Sequence, residues 1–229
     1  MKKKYFIFGA SSYIAKKFIE QTAKKNIVIC FSSKQKTREI IGKKANYIKT
    51  SYSSRHISNC LKKHVNKKEK NIFLFFNGIS ENKAFYKMSD REIIKIIKIN
   101  YVQPVVITRA ILNDFYLNKP TFIYFSSSRA IKGDKGISIY GSSKNAIKSF
   151  AESMSLEYGD LGINFRVILL GLFKGGLNDK LSSIQRKNIF KQSSVKKYIS
   201  IKQLIKLTNF VIDDYSGNGS SIKCDNGYF

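Results

Sequence analysis

Proline, cysteine and acidic side chains are all scarce in this chain of 229 residues, and no apolar run approaches the roughly 18 residues a membrane-spanning helix requires. That last shortage excludes a transmembrane helix. The two prolines, Pro104 and Pro120, say little about where elements end. Cys30, Cys60 and Cys224 are widely spaced and form no CxxC pair. His56 and His64 each stand four residues from Cys60, but one cysteine between two histidines lacks the paired-ligand spacing of a structural zinc site, so neither a metal nor a disulfide framework is expected. Reduced thiols fit a cytoplasmic protein. The amino-terminal MKKKYFIFGASS is basic, yet its apolar stretch of about five residues is too short for the core of a secretory signal, so export is not expected.

The shortage of acids gives the chain its formal net charge of +27, from 15 Asp and Glu against 42 Lys and Arg. Such a charge would suit nucleic acid, an anionic membrane surface or an acidic substrate. The excess is lysine, 35 against 7 arginines, and it is spread over the whole length. Nucleic-acid recognition favours clustered arginine interleaved with aromatics, so a nucleic-acid partner is not expected.

What the chain does contain is a recurring pattern. Short runs rich in β-branched and aromatic residues stand at 5–9, 26–31, 71–76, 121–126, 163–170 and 220–224, with amphipathic stretches of helical period between them, notably 91–115 and 142–159. Continuously apolar strands alternating with helices predict one α/β domain over 1–229, a doubly wound parallel sheet of Rossmann type covered on both faces. Residues 173–200 are polar, lysine-rich and weakly periodic, and read as a mobile excursion outside the core. In folds of this class ligands bind beyond the carboxyl ends of the strands, where such a segment would act as a substrate lid.

Two stretches bear on chemistry. GASSYIA, Gly9 to Ala15, follows the first strand: Gly9 permits a tight turn, and Ser11, Ser12 and the helix amides beyond them would face a pyrophosphate. Equally, it is an ordinary strand-to-helix connection capped by a serine. YGSSK, Tyr140 to Lys144, sets a phenol and an ammonium one helical turn apart. By itself that motif means little, since Tyr13/Lys17 and Tyr198/Lys202 match it too.

Spacing to other elements separates the three. Ser127 ends the strand TFIYFSS 13 positions before Tyr140, Asn100 lies inside the long helical stretch, and VILLG with Gly171 and the closing IKCDNGYF follow in order. In this arrangement the sequence resembles the short-chain dehydrogenase/reductase family. The resemblance implies a catalytic set of Ser127, Tyr140, Lys144 and Asn100, with Asn100 keeping a water beside Lys144. It also implies a dinucleotide site formed by Gly9, Ser11, Ser12, Tyr13, Ile14, Asn77, Gly78 and Gly171, with Tyr140 and Lys144 touching the cofactor as well. The chain departs from the family where Tyr13 and Ala15 replace two loop glycines, where FFNG replaces NNAG, and where Ser51 stands for the acid after the third strand.

The second strand is followed by Ser32, Ser33, Lys34 and Lys36 with no carboxylate to pair with the ribose hydroxyls of NAD, so NADP(H) is the expected cofactor, Ser33 and Lys34 accepting its extra phosphate. The expected function is an NADPH-dependent ketoreductase acting on a small anionic substrate. A nucleotide- or phosphate-linked sugar of surface polysaccharide synthesis comes first, because the GASSxIA form resembles relatives from such pathways; a 3-oxoacyl-carrier-protein reductase is the alternative. A nucleotide-sensing or nucleic-acid-associated protein on the same fold is the competing class, but it has no use for the catalytic set. The resemblance also implies a homodimer or homotetramer paired through 91–115 and 142–159, with Tyr101, Val105, Phe150 and Met154 on that surface.

Overall fold

The computed structural model of the protein describes residues 2–34, 45–66, 68–213 and 215–228, so Lys36 lies outside the described residues. Seven parallel strands form one sheet in the order β3-β2-β1-β4-β5-β6-β7. They are β1 (Lys3–Phe8), β2 (Ile27–Ser32), β3 (Asn46–Lys49), β4 (Lys70–Phe75), β5 (Thr121–Ser127), β6 (Asn164–Leu170) and β7 (Ser221–Cys224). Six match the apolar runs of the sequence. The seventh, β3, sits at the sheet edge with half-buried or exposed side chains, and so shows no apolar run.

Alternation along each strand divides the core in two. Phe6 and Phe8 face a layer built with Ile57, Ile107, Ile111, Ile147 and Ala151, whereas Tyr5 and Ile7 face one built with Phe18, Ile19, Leu204 and Val211. The covering helices are α1 (Tyr13–Thr22), α2 (Ser54–Lys62), α3 (Asp90–Ile97), α4 (Gln103–Phe115), α5 (Ser128–Lys132), α6 (Ser138–Tyr158), α7 (Ser183–Lys191) and α8 (Ile201–Asp213). None of the described helices is long and apolar enough to cross a membrane.

Register turns the phenylalanine content into two ladders on one face. Phe165, Phe122, Phe73 and Phe6 are in-register partners across β6, β5, β4 and β1, with centroids 4.9, 5.4 and 4.7 Å apart. Tyr124, Phe75, Phe8 and Phe31 do the same across β5, β4, β1 and β2 at 4.8, 5.0 and 4.7 Å. Each near-parallel pair adds to the stabilisation from burial.

The structure adds to three expectations. The 91–115 stretch is interrupted by a π-helical turn, Lys98–Val102, which contains Asn100 and separates α3 from α4. Residues 173–200 are not outside a core: Phe173, Leu181, Ile189 and Ile199 are buried, a parallel β-bridge joins Phe173 to Ile199 at the two ends of this excursion, and Leu172, Leu181, Ile189 and Tyr228 form a third apolar cluster. Of the residues expected between copies, Tyr101, Val105 and Phe150 are half-buried and Met154 is buried. Tyr101 and Phe150 meet edge to face at 6.5 Å, and all four belong to or pack on the first core layer.

Candidate active site

The strand order reverses between β1 and β4, and a cavity of about 410 Å³ opens at their carboxyl ends. Gly9 makes that opening possible. It has φ +72°, and a Cβ there would lie 2.7 Å from the Asn77 nitrogen and 2.8 Å from the Phe76 carbonyl carbon, so only glycine lets the β1 and β4 ends approach. Ser12 caps α1, accepting from the Ala15 N–H at 3.1 Å. Gly9, Ser11, Ser12, Tyr13, Ile14, Ser33, Lys34, Asn77, Gly78 and Gly171 all line the one cavity. Gly171 is also a close approach, since a Cβ there would meet the Asp225 Cα at 2.6 Å.

After β3, Thr50 and Tyr52 are buried, while Ser51 between them is exposed. The Tyr52 hydroxyl accepts from the Gly9 N–H at 3.1 Å and donates to the Phe31 carbonyl at 3.0 Å, tying the loop to the end of β2. Burial pushes this phenol up to about 12.

Tyr140 and Lys144 lie in the first two turns of α6 and point into the same cavity, joined there by Ser127 from the end of β5. Ser127 starts α5 as its N-cap but spends no side-chain bond on capping; it bonds the Tyr140 phenol instead. Burial raises that phenol above its ordinary value, while the Ser127 bond and the nearby Arg129 charge pull it down. Lys144 is buried, donating to the Asn77 carbonyl at 2.7 Å and the Phe125 carbonyl at 2.8 Å. Both partners are neutral, so burial lowers the ammonium to about 8.

Asn100 commits its side chain to the backbone. Oδ1 accepts from the Ile79 N–H at 2.9 Å, and Nδ2 donates to the Ile79 carbonyl at 3.0 Å and to Ser143 Oγ at 2.9 Å. The amide thus pins the chain beyond β4 to α6. Tyr198 packs edge to face on Phe190 and is not among the residues lining the cavity, and Lys17 pairs with Glu20.

A nicotinamide dinucleotide fits these residues. Asn77 Oδ1 is buried at the cavity wall with no hydrogen-bond partner in the structure, and the amides at the start of α1 face the same space. The other end of the cavity is lined by Leu172, Leu177, Leu181, Ile189 and Tyr228 together with Arg129 and Asp225. Arg129 donates through Nε and Nη2 to one oxygen of Asp134, so the Nη1 edge of its guanidinium takes no part in that pair. Sequence reasoning missed Arg129, whose one signal was its place two residues after Ser127. It also missed Asp225, held by Ser128 in the buried wall, and Tyr52, which carried no signal because its role depends on a positive φ of 61°.

Comparison with known proteins bears on this arrangement. The family model for short chain dehydrogenase matches residues 3–186. The 3-oxoacyl-(acyl-carrier-protein) reductase FabG of Buchnera aphidicola subsp. Acyrthosiphon pisum (strain APS) is 25% identical over 203 residues, covering 84% of this chain and 82% of that protein. The reductase of the same name from Buchnera aphidicola subsp. Baizongia pistaciae (strain Bp) is 26% identical over 138 residues, 60% of this chain and 56% of that one. Among solved structures, 4-hydroxyisoleucine dehydrogenase complexed with NADH superposes with a TM-score of 0.86 at 20% identity, covering 99% of this chain and 98% of the other.

Proposed function

Since the chain belongs to the short chain dehydrogenase family and is an NAD(P)-dependent oxidoreductase, we propose that it reduces the carbonyl of a 3-oxoacyl group, presented on an acidic carrier, with NADPH. The observation that carries this reading is the apolar wall of Leu172, Leu177, Leu181, Ile189 and Tyr228 in the cavity that holds Ser127 and Tyr140. A hydroxyl-rich sugar would leave that wall poorly used, whereas an acyl chain buries it. The two curated relatives support the same choice, and the basic surface suits an acidic carrier. The keto sugar expected from the sequence is therefore the second reading.

The bound nicotinamide supplies the hydride. Ser127 holds the substrate oxygen by hydrogen bond, and Tyr140 gives it a proton as the alcohol forms. The Lys144 charge and the amino end of the 21-residue α6 favour the phenolate left behind. Lys144, between the Asn77 and Phe125 carbonyls, has donor capacity left for a ribose hydroxyl or a water that returns the proton. Ser33 and Lys34 hold the extra phosphate of NADPH, with no carboxylate in residues 27–36 to repel it. Arg129 steers the anionic part of the substrate. The enzyme works in the cytoplasm as a homo-oligomer. Following NADPH absorbance with an acetoacetyl thioester of acyl carrier protein and with a nucleotide-linked keto sugar tests the reading: turnover of the thioester is expected, and turnover of the sugar alone overturns it.

A further inference from the structure

Tyr13 replaces a glycine that would let a pyrophosphate approach the loop, and its ring does not fold back on α1. The turn Gly175–Gly176 lies against it, over both the ring and the Cβ. A Cβ on Gly175 would come within 2.7 Å of the Tyr13 ring carbons Cε1 and Cζ, and one on Gly176 within 3.0 Å of the Tyr13 Cβ. Both glycines have positive φ, +105° and +69°, so the turn meets the ring with bare backbone. The glycine missing from the phosphate loop is matched by two glycines opposite it.

Each half of this contact is anchored. Tyr13 is the first residue of α1, directly after the capping Ser12. Behind the turn, Asn178 Nδ2 donates to the Phe173 carbonyl at 2.9 Å, Phe173 is buried against Ile199, and Leu181 is buried in the third cluster. Tyr13, Gly175, Gly176, Leu177 and Asn178 line the same cavity as Ser11, Ser12 and Ile14.

We propose that Tyr13 is a positioning residue for the cofactor: a clasp that joins the phosphate-side loop to residues 173–182 and encloses the pyrophosphate, so that the dinucleotide leaves only when Tyr13 parts from Gly175. The inference rests on the dinucleotide reading above. Because the ring is 40% exposed, the contact contributes little to overall stability, and its effect falls on cofactor release.

Stopped-flow release of NADPH from wild type, Tyr13→Gly, Tyr13→Phe and Gly175→Ala tests it. Tyr13→Gly is expected to release NADPH at least about tenfold faster with a melting temperature close to wild type, in keeping with the small effect of exposed substitutions. Tyr13→Phe keeps the ring carbons that make the contact and stays within about twofold. Gly175→Ala, which breaks the clasp from the other side, reproduces the fast release. Unchanged or slower release from Tyr13→Gly and Gly175→Ala overturns the clasp. Limited trypsin cleavage after the exposed Lys174 gives a readout without cofactor: faster cutting in Tyr13→Gly is expected, and equal rates overturn the proposal. If wild type binds neither NADPH nor NADH, the cofactor reading fails, and the trypsin rates alone decide the clasp.

Discussion

Tyr140 concentrates the proposed chemistry in one hydroxyl, so its removal is the sharpest test at the residue scale. Tyr140→Phe keeps the ring and loses the acid. Turnover should fall about 10³-fold or more with NADPH affinity within a few-fold, while Tyr198→Phe, outside the cavity lining, stays near wild type. Initial rates and fluorescence titration check both, and an active Tyr140→Phe removes the phenol from the mechanism. Lys144 makes a prediction in stability. Its pKa falls from 10.5 to about 8 on folding, so between those values the folded chain holds fewer protons than the unfolded one, and stability rises with pH. Below about pH 8 the cost is present in full, about 3 kcal/mol. Relative to Lys144→Met, the wild-type melting temperature should therefore gain between pH 7.5 and 10. Taking the difference cancels Cys30, Cys224 and the buried tyrosines, whose raised values act with opposite sign in alkali. Parallel curves for the two proteins would contradict the buried charge.

Among the elements, the aromatic ladders together tie five strands, and Phe122 stands inside one of them between Phe73 and Phe165. Phe122→Ala should cost about 3–5 kcal/mol in urea unfolding, because stacked neighbours on adjacent strands cannot both collapse into the gap. A loss below about 1 kcal/mol would mean that the rings repack. The π turn at 98–102 is a second element-scale device. It places Asn100 where its amide holds the backbone at Ile79, and Ile79 lines the cavity.

For the whole molecule, fifteen acids cannot neutralise forty-two basic groups, so net repulsion acts on the surface and the apolar patches that remain exposed stand out. Ile94, Ile97 and Val102 on the α3–α4 segment and Leu156 on α6 are such residues, and they extend the proposed contact between copies beyond the half-buried Tyr101, Val105 and Phe150. Light scattering at micromolar concentration should give a dimer or tetramer, and Ile94→Glu with Leu156→Glu should shift it toward monomer. A wild-type monomer would refute the assembly.

Strand positions and the helices between them were legible in the sequence because apolar runs are local quantities, and the Ser127–Tyr140–Lys144 set was legible only through the family resemblance that its offsets carry. The edge strand β3 was not, since edge position removes the burial that writes an apolar run. Nor were the buried cluster within 173–200, the π turn around Asn100, the Tyr52 bridge from Gly9 to Phe31, or the placement of Arg129 and of the Gly175–Gly176 turn against Tyr13. Each of these is a meeting of residues distant along the chain or a backbone angle set by its surroundings, and only the packed tertiary structure fixes either.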